Sequence, residues 1–202
     1  MLPQFVYFDL GNVLCFFDHQ KSVENMVAIT GADAKTIREI VYIADLEHRY
    51  ETGLVTGQEF VKEIATKLGI IDLDCDAMLY AASDMFEPNH DILPVLDRIR
   101  ELKIPMGILS NTCDAHWLWI VQQKYPQLDY PFAPIVLSYE ERVMKPNPEI
   151  YRLSTKKVKF APNEIFFTDD RIDNIAAAKA FGWNTHLFTD AASLLKTIEQ
   201  WD

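Results

Sequence analysis

The sequence predicts an α/β protein, a parallel, doubly wound sheet interrupted after its first strand by a block of helices. Three observations lead there. Four short runs are apolar on successive residues rather than on alternate ones, the pattern of strands covered on both faces. Helical periodicity lies between the later runs, as strand–helix alternation in a parallel sheet requires. The stretch between the first and second runs holds several helical segments and no convincing strand, and it is too long for an ordinary crossover. At 202 residues the chain suits one core domain with a small insert.

Taken in order, the first strand is Phe5–Phe8 (FVYF), followed directly by Asp9. The insert runs from about 15 to 88, with helical stretches over 21–30, 34–46, 57–68 and 74–85. A turn at Glu51-Thr52-Gly53 separates two of them, and Thr56 caps the third with Glu59 at the third helical position. Long insertions at strand ends often act as lids. Leu93, Leu96, Ile99 and Leu102 then mark a helix over 92–102. The second strand is 105–109 (PMGIL), and Trp117 and Trp119 lie on the helix after it as packing residues. The third strand is 135–137 (IVL) and the fourth 165–167 (IFF). An alanine-rich helix over 174–181 ends at Gly182, a left-handed cap, before a weaker fifth strand over 185–188 (THLF).

Composition excludes several classes of function. The formal net charge of −11 gives no overall attraction for nucleic acid or an anionic membrane. A phosphate site here must be a local exception, built from backbone amides and one or two cations. The first residues lack a basic leader region, and their apolar run is too short to span a bilayer. Cys15, Cys75 and Cys113 form no CxxC pair, so a reduced, cytoplasmic protein is expected. His19, His48, His90, His116 and His186 show no metal-ligand spacing. His19 and His48 lie in the insert or its hinge and could touch a substrate, but surface or packing roles are expected. Residues 47–50 read as a loop over an active site, in which Arg49 could contact a sugar or phosphate but is expected to pair with a Glu.

The informative polar residues fall at strand ends. Asp9 follows the first strand, Ser110-Asn111-Thr112 the second, and Asp169-Asp170 the fourth; Lys145 follows the third after a short loop. Singly, each has a plain reading as a turn former, a helix N-cap or a surface turn. The acidic pair is the strongest single sign, because adjacent carboxylates repel unless a cation lies beside them. Jointly they line one edge of a parallel sheet, where open α/β folds bind ligands.

With FDLGNVL, LSNT, Lys145 in MKPNPEIY, and FFTDDRIDNIAAAKAFG quoted in that order, the chain resembles the haloacid dehalogenase superfamily, most of whose members are phosphatases. The resemblance covers the whole chain and implies a Rossmann-like core (1–15 and 89–202) carrying a helical cap (16–88). The DLGNV form, the helical cap and the paired aspartates look like the branch that includes bacterial sugar-1-phosphate phosphatases, with the phosphatase-like N-terminal domains of epoxide hydrolases as more distant relatives.

The resemblance implies in-line attack by Asp9 on a small phosphate monoester, through an aspartyl-phosphate that water hydrolyses. Magnesium would be held by Asp9, Asp170 and the Gly11 carbonyl, with Asp169 acting indirectly or through water. Ser110, Asn111 and nearby amides would hold phosphoryl oxygens, Lys145 would neutralise charge and orient Asp9, and Asn174 would brace the acidic loop. The implied partner is a phosphorylated small molecule, with the protein a monomer or homodimer. One position departs from the family pattern: the second Asp that usually serves as general acid and base is Gly11 here. Loss of such a group typically costs about 10²–10⁴ in rate. Three accounts stand open: a good leaving group such as an anomeric hydroxyl, which is preferred; a neighbouring group; or binding without turnover. The paired aspartates argue against a haloacid dehalogenase, which needs no magnesium. The order of the acidic groups argues against a response-regulator receiver.

Overall fold

The computed structural model describes residues 2–201. In chain order it contains β1 (Phe5–Phe8), β2 (Cys15–Phe17), α1 (His19–Thr30), α2 (Ala34–Arg38), a π-helical turn (Glu39–Ile43), α3 (Leu46–Glu51), α4 (Gly57–Leu68) and α5 (Cys75–Ser83). There follow β3 (Phe86–Pro88), α6 (Leu93–Glu101), β4 (Met106–Ser110), α7 (Asp114–Gln122), β5 (Phe132–Leu137), the short α8 (Ser138–Glu141), α9 (Pro148–Val158), β6 (Ile165–Asp169), α10 (Ile172–Phe181), β7 (Asn184–Leu187) and α11 (Ala191–Ile198). Among the described residues no helix is long and apolar enough to cross a membrane.

Five strands form one parallel sheet in the order β5-β4-β1-β6-β7. Alternate residues of β1 explain why its apolar run is unbroken. Val6 and Phe8 enter one buried cluster with α6, α7 and α11, through Leu96, Ile120 and Leu194. Phe5 and Tyr7 enter the other with α9 and α10, through Ile150, Tyr151 and Ala178. A strand covered on both faces must be apolar on both sets of side chains. The doubly wound parallel fold is therefore as expected, and β1 sits at its centre, flanked by β4 and β6.

The segment between β2 and β3 is helical and has its own buried cluster, including Met26, Ile37, Leu46, Phe60, Ile64 and Met78. Thr56 and Glu59 form the expected capping box on α4, and Gly182 ends α10 in the left-handed conformation. Three expectations need correction. The insert is not free of strands: Cys15–Phe17 pairs antiparallel with Phe86–Pro88 at its base, a ribbon whose three-residue arms are too short to carry a periodic signal. The helix expected over 34–46 is broken. It widens into the π-helical turn, and Asp45, at φ 67°, restarts the chain as α3; Asp is among the few residue types that tolerate this conformation. Finally, β5 begins at Phe132 rather than 135.

The helical segment is fastened to the core at the C-terminal end of α3. Ser138 Oγ donates to the Glu51 carbonyl at 2.6 Å, Thr52 Oγ1 lies 2.9 Å from Met144 sulfur, and the Tyr50 hydroxyl bonds Asp114. Gly53 has φ 69°, and a Cβ there would land on the Tyr139 carbonyl. Replacing Gly53 by Ala should therefore cost about 2 kcal/mol, from left-handed strain plus displacement of this junction. Urea unfolding checks it; a loss under about 0.5 kcal/mol, the range of ordinary surface substitutions, would show that the junction yields easily.

Candidate active site

Asp9, at the end of β1, is locked to β6 by its N–H, which donates to the Thr168 carbonyl at 3.0 Å. Its Oδ1 accepts from the Leu10 N–H at 2.7 Å and lies 2.8 Å from Lys145 Nζ. Lys145 is only 4% exposed. Its ammonium also donates to Asp169 Oδ2 at 2.6 Å and to the Leu109 carbonyl at 2.9 Å. The Asn111 side chain clamps the Lys145 backbone, donating to its carbonyl at 2.9 Å and accepting from its N–H at 2.8 Å. The loop after β4 thus sets the position of the lysine.

Asp169 is fully buried and fully engaged. Besides Lys145 it accepts from Asn174 Nδ2 at 3.0 Å and from the Arg171 N–H at 2.8 Å. Asp170 is only partly buried and faces the cavity, with Asn12 Nδ2 donating to its Oδ2 at 2.9 Å. Asn12 sits at φ 55°, which an Asn accepts more readily than most residues. Buried Ser110 lines the same cavity, as do Gly11 and Asn111. The structure therefore brings all seven sequence-predicted residues to one site.

Charge here is unbalanced. One carboxylate oxygen from each of Asp9, Asp169 and Asp170 lies within 4.8 Å of the others, and Lys145 is the cation among them. Burial pushes the Asp9 carboxyl up, to about 8, against the pull of Lys145 and with a push from Asp169. Burial alone would lower the Lys145 ammonium, but Asp169 and Asp9 outweigh it and raise it. A hard divalent cation suits this donor set: oxygen ligands, excess negative charge, and one carboxylate turned toward open space. The residues present thus fit magnesium.

The cavity has a volume of about 490 Å³ and a second wall, made by the helical segment and α7. His19, Glu47, His48, Glu51 and His116 contribute polar groups to it, with Phe17, Met85, Phe86 and Met144 between them. Burial raises the carboxyls of Glu47 and Glu51, and Glu51 raises Glu47 further. Burial lowers the His116 imidazole to about 4 and also lowers His19. His19 and His48, expected in surface or packing roles with substrate contact as the alternative, both line this wall, as does Glu47 from the loop expected over the site. His116 joins them from a separate helix that the sequence does not relate to them. Arg49 pairs with Glu63 at 3.0 Å, as expected for a helix arginine. Trp119 is buried in the core, and Cys113 is buried too.

Residues 4–182 match the haloacid dehalogenase-like hydrolase family. The chain is 27% identical over 186 residues to D-ribitol-5-phosphate phosphatase of Bacteroides thetaiotaomicron, covering 89% of each. It superimposes, with a TM-score of 0.80 and 29% identity, on a family enzyme of the same organism solved with magnesium and inorganic phosphate, covering 91% of this chain and 93% of that one. L-2-haloacid dehalogenase of Xanthobacter autotrophicus shares the fold, at a TM-score of 0.63 and 21% identity, covering 96% of this chain and 81% of that one.

Proposed function

This chain belongs to the haloacid dehalogenase-like hydrolases, and we propose that within them it is a magnesium-dependent phosphatase of small phosphate monoesters, sugar or polyol phosphates among them. The observation that carries the reading is the buried triangle in which Lys145 bridges Asp9 and Asp169 beside the open carboxylate of Asp170. The relative that acts on ribitol 5-phosphate and the neighbour solved with magnesium and phosphate support it.

Each residue has a role in this reading. Asp9 attacks the phosphorus in line and forms the aspartyl-phosphate. Its Oδ1 is held by Lys145 and the Leu10 amide, which fixes the direction of the other oxygen. Asp9, Asp170 and the Gly11 carbonyl would hold magnesium, with Asp169 steadying Lys145 and reaching the ion through water. Bound magnesium would neutralise charge on the phosphoryl oxygens and keep the carboxylates ionised. Ser110 and the amides at the start of α7 receive phosphoryl oxygens. The Asn111 side chain is committed to Lys145, so its phosphate contact falls to its backbone N–H. The helical segment 16–88 serves as the cap over the core of 1–15 and 89–202.

The test is hydrolysis of p-nitrophenyl phosphate by the purified protein, with magnesium and with chelator. Turnover is expected with magnesium and should vanish with chelator; a panel of sugar and polyol phosphates then ranks substrates. No turnover with magnesium present would leave the alternative that Gly11 favours, a protein that binds a phosphorylated ligand without cleaving it. Chelator-resistant halide release from a 2-haloacid would instead mark a dehalogenase.

A further inference from the structure

Position 11 cannot supply an acid, and the structure shows what occupies its place. A Cβ on Gly11 would lie 2.9 Å from Cε1 and 3.2 Å from Cδ1 of the Phe17 ring. That ring lies 5.0 Å from the His19 imidazole, which in turn stacks on Tyr42 at 4.6 Å. His19 Nε2 is 3.7 Å from Glu47 Oε1. Glu47 and Glu51, one helical turn apart on α3, both line the cavity that holds Asp9. A continuous row of side chains thus leads from the vacated acid position to a carboxyl on the opposite wall.

His116, from α7, closes the cavity on another side; it is 8% exposed and meets the Phe86 ring edge-on at 5.4 Å.

We propose that Glu47, beside His19 and one helical turn from Glu51, is the general acid and base of this enzyme, standing in from the cap for the carboxylate missing at Gly11. The assignment rests on the phosphatase reading above. In the first half-reaction an Asp9 oxygen bonds to phosphorus as the ester P–O bond breaks. The electron pair of that bond passes to the leaving oxygen, which takes the proton of the Glu47 carboxyl and departs as an alcohol. In the second half, Glu47 carboxylate removes a proton from water as the water oxygen bonds to phosphorus. The bond from phosphorus to Asp9 breaks, inorganic phosphate leaves, and Glu47 is again protonated.

The surroundings of Glu47 favour a carboxyl that starts protonated. It faces His19 from α1, Tyr42 from the π-helical turn, Glu51 on its own helix, and Cys113 from the core side of the cleft. Burial pulls the His19 imidazole down and lowers that of His116, the next histidine along the cavity, to about 4. Lys145 and Arg171 act on Glu51 and pull it down, while Arg38 acts on His19 and Tyr42. Of the two glutamates, Glu47 is therefore the one that retains the proton.

The experiment is a leaving-group series, from p-nitrophenyl phosphate to simple alkyl phosphates, for wild type, Glu47→Gln and Glu51→Gln with magnesium present. Wild type should show a shallow dependence of kcat/KM on leaving-group pKa. Glu47→Gln should lose about 10²-fold on alkyl phosphates, at least tenfold more than on the aryl ester. The basic limb of the alkyl pH profile, where Glu47 loses its proton, should disappear with it. Glu51→Gln should shift that limb without removing it. Equal losses on both ester types, or none, would overturn the assignment while leaving the phosphatase intact. Absence of wild-type turnover of every ester would overturn both readings, the phosphatase first.

Discussion

Replacing Asp9 by Asn should remove magnesium-dependent turnover of p-nitrophenyl phosphate, by about 10⁴-fold or more, and leave the fold intact. This aryl ester needs little proton donation, so its hydrolysis isolates the attack on phosphorus from the departure of the alcohol. Asn keeps the shape of Asp and one carbonyl oxygen, so the Leu10 N–H and Lys145 Nζ, at 2.7 and 2.8 Å from Oδ1, retain an acceptor. What is lost is the anionic oxygen that would bond to phosphorus. Stability should not fall with activity. The wild-type carboxyl is buried beside Asp169, and both features push it toward neutrality, so a neutral amide removes strain that the folded state carries. Paired measurements of turnover and urea midpoint check this. Activity within tenfold of wild type, in a folded variant, would place the nucleophile elsewhere.

How much of this was legible beforehand follows from range in the chain. The buried strands were readable because each is a local run whose two faces must both be apolar; Val6 and Phe8 against Phe5 and Tyr7 make the point in four residues. Most motif residues were readable because they stand at the end of a strand, Asp9 after β1, Ser110 closing β4 and Asp169 closing β6; Lys145 follows β5 only after a loop. What the sequence could not convey was commitment. Asn111 reads as a phosphate ligand, but its side chain ties down Lys145, a residue far along the chain. The second wall was legible only in part, as a loop at 47–50 over the site. His19, Glu47 and His116 come from α1, α3 and α7, and nothing in their spacing relates them. The break at Asp45 that starts α3 and so aims Glu47 is itself a tertiary choice, since local periodicity runs a helix straight through it.

Lys145 carries the largest stability effect. Replacement by Met keeps the aliphatic stem and removes the ammonium, leaving the partners at 2.8 and 2.6 Å, Asp9 and Asp169, buried without their shared cation. Breaking a buried pair in this way costs about 3–5 kcal/mol. The sign of the pH dependence follows from Asp9. Burial already raises its carboxyl from 3.8 to about 8 while Lys145 is present; without the lysine it rises further. A folded-state value above the unfolded one means that the folded variant binds the proton more tightly, so the variant is most nearly stable below about pH 4 and loses ground as pH climbs toward 8 and beyond. Magnesium should then raise the stability of the variant at neutral pH, because an ion that binds only the folded state adds about 2.7 kcal/mol at a hundred times its Kd. Urea titrations of Lys145→Met at several pH values, with and without magnesium, separate the two cations of the site. If magnesium raised the urea midpoint of neither the variant nor the wild type, the three aspartates would not hold the ion, and the positive charge beside them would come from the chain's own Lys145 and Arg171.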